Sequence, residues 1–168
     1  MTVNVSGRQL EDAGFRDEVA AALADSGIAP GALVLELTES TIAQNPDTTR
    51  ERLLALKALG VRLAIDDFGT GYSSLSYLQL FPIDVLKIDK TFVDNVTRGG
   101  SHAALARTIV ALAEALSVHC VAEGVEESEQ RACLRDLGCA LGQGYHFARP
   151  MSAEGVARLI GAARAAVA

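Results

Sequence analysis

Two adjacent carboxylates, Asp66 and Asp67, close the β-rich run Val61–Ile65 and lead into Phe68-Gly69-Thr70-Gly71-Tyr72-Ser73-Ser74-Leu75. Neighbouring like charges repel, so the doublet asks for a cause. One reading is divalent-cation binding: carboxylate oxygens are hard ligands suited to Mg²⁺ or Mn²⁺, with Asp66 bridging or ligating and Asp67 holding a second ion. The other is a solvated turn that uses Asp and Gly for local backbone bonding. Polar residues elsewhere favour the first. Asn4, Glu36, Asp66 with Asp67, Lys87 with Asp89, and Glu123 each sit at or just beyond the end of a β-rich run. Lys87 interrupts the apolar stretch Leu86-Lys87-Ile88, and a lysine buried there keeps its proton only beside acidic partners. A carboxylate cluster would supply them; an outward-facing lysine at a strand end is the alternative.

The segments that must position these residues alternate. Val3–Val5, Leu33–Leu37, Val61–Ile65, Val85–Ile88, Val118–Ala122 and Gly142–Phe147 read as strands, separated by helical patterns, and βα repetition predicts a parallel sheet. Phe15, Val19, Ala22 and Leu23 share one helix face before Gly27, and Leu105, Ile109, Leu112, Ala113 and Leu116 repeat the spacing. Asn45-Pro46 predicts an N-cap and a first-turn proline, with Gly60 as the stop. Ser128 and Gly138 frame a further helix, and Ser152 starts the last. Six such units fit a doubly wound open sheet or part of a (β/α)8 barrel. Polar residues at successive strand ends favour the barrel, where those ends converge on one face.

A chain of 168 residues fits one domain, 1–168, and 49% hydrophobic with 21% charged residues is a globular composition. A net charge of -6 argues against a nucleic-acid polymer as partner, since such proteins neutralise phosphates with basic patches. Cys120, Cys133 and Cys139 form no CxxC pair, which argues against a disulfide framework or zinc site. His102, His119 and His146 receive no role. The N-terminus lacks a signal-peptide pattern, and no run of about 18 apolar residues predicts a membrane span.

Asn4-Val5-Ser6, Glu36-Leu37-Thr38-Glu39-Ser40, Asp66-Asp67-Phe68-Gly69-Thr70-Gly71, Lys87-Ile88-Asp89, Glu123-Gly124-Val125-Glu126 and Gly142-Gln143-Gly144-Tyr145 together resemble, in order, the motifs of EAL domains. The resemblance covers nearly the whole chain. It implies a TIM-like (β/α)8 barrel with an antiparallel first strand, and bacterial, cytoplasmic hydrolysis of cyclic-di-GMP to linear pGpG with two Mg²⁺ or Mn²⁺ ions. By the same resemblance Asn4, Glu36 and Asp66 are ligands of one metal, and Asp66 and Asp67 serve the second. Lys87 and Glu123 position and activate the attacking water, with Asp89 in support. Glu126 and Gln143 support the substrate and metal pocket, and Glu39 anchors the loop at Phe68–Leu75, a segment associated with dimer contacts.

A complete barrel of this kind typically takes about 250 residues. The chain starts just before the Asn4 strand, so about six of eight strands are expected. The segment bearing the Glu-Ala-Leu signature, with its metal-binding glutamate, is not among them, which compromises one metal site. Unpaired edges are expected at the Val3 and Phe147 strands, with an open or self-associated barrel, homodimer included. Upstream sensory or GGDEF-type domains are the implied partners. A hydrolytically silent module that holds cyclic-di-GMP or a partner protein is the alternative; an enolase-like barrel and a phosphoacceptor receiver fit less well.

Overall fold

The computed structural model describes residues 1–43, 45–71 and 78–165. Along the chain run β1 (Thr2–Asn4), α1 (Gly7–Glu11), α2 (Phe15–Ser26), β2 (Val34–Thr38), α3 (Glu39–Ala43), α4 (Pro46–Lys57), β3 (Arg62–Phe68), β4 (Val85–Ile88), α5 (Lys90–Val93), α6 (Gly100–Ala115), β5 (His119–Ala122), α7 (Ser128–Asp136), β6 (Leu141–Gly142) and α8 (Ala153–Ala165). The strands form one sheet in the order β1-β2-β3-β4-β5-β6, and every neighbouring pair is parallel. This is an incomplete (β/α) barrel whose edges, among the described residues, are β1 and β6.

Strand alternation sorts the side chains onto two faces. Leu35 and Leu37 of β2, Leu63 and Ile65 of β3, and Leu86 and Ile88 of β4 are buried in the main core. Phe15, Val19 and Leu23 of α2, Leu53 and Leu56 of α4, and Ile109 and Ala113 of α6 share that core. Full burial of one such side chain stabilises by about 1.5–3 kcal/mol. The opposite face carries a layer of small apolar residues: Val34, Ala64 and Val85, with Val121 packed against them. Two residues further along those four strands stand Glu36, Asp66, Lys87 and Glu123.

Several local expectations change in detail. Pro46 opens α4 where the sequence predicts, but Asn45 makes no side-chain bond to the helix. Its start rests on the fixed φ of the proline instead. α7 begins at Ser128, yet its cap lies one residue earlier: Glu127 and Gln130 bond reciprocally in a capping box. A second capping box, Ser6 with Gln9, starts the short α1, which hydrophobic periodicity misses in a five-residue helix.

The largest difference is at the last strand, expected over Gly142–Phe147 and observed only over Leu141–Gly142. The chain turns at Gly144, where the N–H groups of Phe147 and Ala148 donate to the Gly144 carbonyl at 3.1 and 3.3 Å. Gly144 has φ 151°, and a Cβ there would lie 2.2 Å from the carbonyl oxygen of Val125 and 2.4 Å from its nitrogen. Two backbone segments therefore touch at a point where only glycine fits. Gly144→Ala is expected to destabilise by at least about 1–3 kcal/mol, the range for overpacking. Urea denaturation of the two chains measures it.

Candidate active site at the strand ends

Register brings the polar residues together before any side chain is considered. Asn4 pairs with Glu36, Thr38 with Asp66, and Lys87 with Val121, so the C-terminal ends of β1 to β5 form one rim. On β3 the ladder to β4 shifts between Ile65 and Phe68, an irregularity that falls on the acidic doublet. Asp67 adopts φ 53° there. Aspartate is among the non-glycine residues that tolerate this left-handed region best. The bulge aims two consecutive carboxylates into the rim, where regular alternation would send them to opposite faces.

Lys87 is the cation at the centre. Its side chain is 3% exposed, and Nζ contacts Glu36 Oε1 at 2.9 Å, Asp66 Oδ1 at 3.0 Å and Glu123 Oε1 at 2.5 Å. Burial pulls the lysine pKa down, but hydrogen bonds to Glu123, Glu36 and Asp66 outweigh it and hold the ammonium above the ordinary lysine range. The sequence leaves the direction of Lys87 open between inward and outward; the structure turns it inward.

The acids outnumber that charge. Burial pushes Glu123 up to about 7, with the charge of Asp66 adding to burial and Lys87 working against both. Burial, then the Asp66 charge, then hydrogen bonding to Asp89 raise Asp67. For Asp89 burial acts upward, but the hydroxyl and N–H of Thr91 donate to its carboxylate and lower the pKa overall. Asp89 is thus the N-cap of α5 and also faces Asp67. Gln143, on the turn after β6, donates Nε2–H to Glu123 Oε1 at 2.5 Å.

One oxygen each from Asp66, Asp67 and Glu123 lie within 4.8 Å of one another, a spacing that can hold a cation. Glu36 adjoins this trio through Lys87, and Asn4, paired with Glu36 in the sheet, is exposed at the end of β1. Three carboxylates, Glu36, Asp66 and Glu123, contact Lys87, and Asp67 and Asp89 face each other as a further acidic pair at the rim. Excess negative charge in an all-oxygen donor set fits hard divalent ions. The structure therefore groups Glu123, expected in a water-activating role, with the two aspartates whose spacing could hold a cation.

Two other expected residues lie further out. Glu126 points along the rim to Lys90, Oε1 to Nζ 2.9 Å, with both side chains about half exposed. Glu39, 4% exposed at the start of α3, accepts from Gly69 N–H at 2.8 Å and Gly71 N–H at 3.3 Å. Residues 72–75 of the loop it was expected to anchor lie outside the described residues. Lys90 and Gln130 were missed by sequence reasoning. Gln130 Oε1 accepts from the N–H groups of Glu126 and Glu127 at 2.8 and 3.0 Å, and the Glu127-x-x-Gln130 spacing could have signalled it.

Lys87→Met leaves the buried Glu36 carboxylate and the partly buried Asp66 and Glu123 carboxylates without their shared cation, and is expected to cost up to about 3–5 kcal/mol near neutral pH. Glu123, already raised by burial, then loses the cation that works against that rise, so its folded form binds a proton more tightly than its unfolded form. Stability must therefore fall as pH rises and recover on acidification toward pH ~5. Urea midpoints at both pH values check the sign.

The EAL domain family model matches residues 1–150. The chain is 44% identical over 151 residues to the cyclic di-GMP phosphodiesterase NbdA of Pseudomonas aeruginosa, covering 90% of this chain and 19% of NbdA. Among solved structures it is similar to the PaMucR phosphodiesterase in its c-di-GMP complex, with TM-score 0.88 and 44% identity over 92% of this chain and 63% of that one. It is also similar to a manganese/cy-diGMP complex of Klebsiella pneumoniae BlrP1, with TM-score 0.82 and 34% identity over 89% of this chain and 38% of that one. The chain spans well under half the length of these curated relatives, 38% in the case of P. aeruginosa RocR. Family match, parallel half-barrel and acidic rim agree: the chain belongs to the EAL domain family.

Proposed function

We propose that residues 1–168 act as a single EAL-type domain that hydrolyses cyclic-di-GMP to linear pGpG with two divalent ions, Mg²⁺ or Mn²⁺. The observation that carries this reading is the Asp66, Asp67 and Glu123 trio beside a buried Lys87. The likeness to the phosphodiesterases NbdA and PaMucR supports the substrate. The manganese complex of BlrP1 supports the metal class.

In this reading Asp66 and Asp67 hold the cations, with Glu36 and Asn4 completing the donor set on the β1 and β2 side. When bound, divalent cations polarise the phosphodiester and neutralise charge developing on the departing oxygen. Glu123 accepts the proton of the attacking water. Lys87 and Gln143 fix the Glu123 carboxylate from two directions, and Lys87 also orients the water. The new bond joins water oxygen to phosphorus, the P–O3′ bond breaks, and the 3′ oxygen leaves with a proton. Asp89 aligns Asp67, Glu126 supports the substrate side of the rim, and Glu39 holds the loop after β3.

No helix among the described residues is long and apolar enough to cross a membrane. We place the domain in the bacterial cytoplasm, fused to or paired with sensory or GGDEF-type segments and self-associating through its open edges. A second reading, a module that holds cyclic-di-GMP without cleaving it, is favoured by the exposure of Asn4 at the sheet edge, which leaves the rim open on that side.

Incubation with cyclic-di-GMP and Mn²⁺ or Mg²⁺ is expected to yield linear dinucleotide. Asp66→Ala should lower the rate by more than about 10–100-fold, the range that loss of a mere supporting residue already reaches. Chelation should abolish it. Nucleotide binding with no product would support the silent module instead.

A further inference from the structure

The segment Glu123–Glu126 is clamped from two sides, and a residue with no assigned part in the reaction forms one of the clamps. On one side the Val125 N–H donates to the Gln143 carbonyl at 3.0 Å, and the His146 N–H donates to the Val125 carbonyl at 2.9 Å. On the other lies Lys90, the first residue of α5. Gly124 has φ 64°, and a Cβ built on it would fall 2.5 Å from Lys90 Cγ and 2.6 Å from Cδ. The lysine stem therefore runs directly across the backbone next to Glu123. Its ammonium then joins two carboxylates, Asp94 Oδ1 at 2.7 Å on its own helical turn and Glu126 Oε1 at 2.9 Å across the gap.

We propose that Lys90 is a positioning residue for the phosphodiester hydrolysis, latching the segment Glu123–Glu126 to α5 so that the Glu123 carboxylate is held against Lys87 and Gln143. The inference rests on the hydrolytic reading above. Braced by Asp94, the Lys90 ammonium cannot follow Glu126 outward without giving up a second ion pair. The Asp89 cap at the start of the same helix faces Asp67, so one short helix references both the acidic doublet and Glu123. A half-exposed ion pair contributes little to global stability. Its effect belongs in geometry, where displacement of a reacting group by about 1 Å costs up to roughly a hundredfold in rate.

The test compares the unsubstituted chain with Lys90→Met, which keeps an apolar stem over Gly124, with Lys90→Arg, Glu126→Gln and the Lys90→Met/Glu126→Gln pair. Turnover is measured at saturating Mn²⁺, and amide hydrogen exchange at Val125 without substrate. Lys90→Met is expected to lower kcat by about tenfold, with KM within about twofold and the melting midpoint within about 2 °C. Lys90→Arg should restore most of kcat, and the double variant should have a kcat no lower than that of Lys90→Met, as expected for two residues acting on kcat as one unit. Exchange at Val125 should quicken by about tenfold in Lys90→Met while that at Val121 stays unchanged. Unchanged kcat would reduce the pair to a surface contact. A change confined to KM would make Lys90 a substrate contact, and a rate loss that tracks the melting midpoint would make it structural; each overturns the proposal. If the unsubstituted chain shows no turnover, the hydrolytic reading fails by itself. Exchange at Val125 still judges the latch, and an unaltered value there overturns it.

Discussion

A single buried ammonium organises the C-terminal end of the sheet. Taking a lysine out of water costs several kcal/mol unless its protons find acceptors, and Lys87 finds three, one each on β2, β3 and β5. Each contact is a cross-link between neighbouring or next-neighbouring strands at their C-terminal ends. The strands must therefore be in register for the charge to be satisfied. A slip of one residue anywhere would turn one partner to the helix-facing side. The acids depend on the lysine in the same way, because without it the Glu36, Asp66 and Glu123 carboxylates would face one another with no shared cation. Lysine and acids are thus each intolerable without the other, and they hold the rim as a unit.

The layer beneath makes that unit possible. Val34, Ala64, Val85 and Val121 are small apolar residues that fill the layer below the one formed by Glu36, Asp66, Lys87 and Glu123. Interior layers contributed by successive strands are how barrels of this type fill their centre. Here one layer is apolar and the one above it is ionic. On the outer face Leu, Ile and Phe side chains pack against the helices, and α2, α4 and α6 need little beyond an amphipathic pattern to seat themselves.

Much of this was legible because strand alternation and strand-end chemistry are one-dimensional patterns. Asp66-Asp67 after an apolar run, and Lys87 within one, stand out against their neighbours, and parallel order follows from the intervening helices. What escaped depends on contacts between segments distant in sequence. Nothing local announces that the ladder shifts at Ile65, so that both aspartates reach one rim. The early end of β6 follows from the approach of Gly144 to Val125, nineteen positions earlier along the chain by residue number. Gln143 is expected in a supporting role, but nothing local announces that its partner is Glu123. Lys90 reads as a solvent-facing charge, since its partner Glu126 is 36 residues away.

The residues that Lys87 gathers extend from Glu36 to Glu123, and none of its acidic partners lies closer in sequence than Asp66. Until the parallel strands have paired, the acids are scattered along a hydrated chain and repel one another little. The electrostatic penalty of the rim therefore falls late in folding, on the long-range strand pairings that are already the slowest to form. A divalent ion that recognises the assembled rim, and has almost no affinity for the dispersed acids, would be a folding ligand as much as a reagent. Its cellular concentration would then govern how much of the chain is folded as well as how fast the folded fraction works.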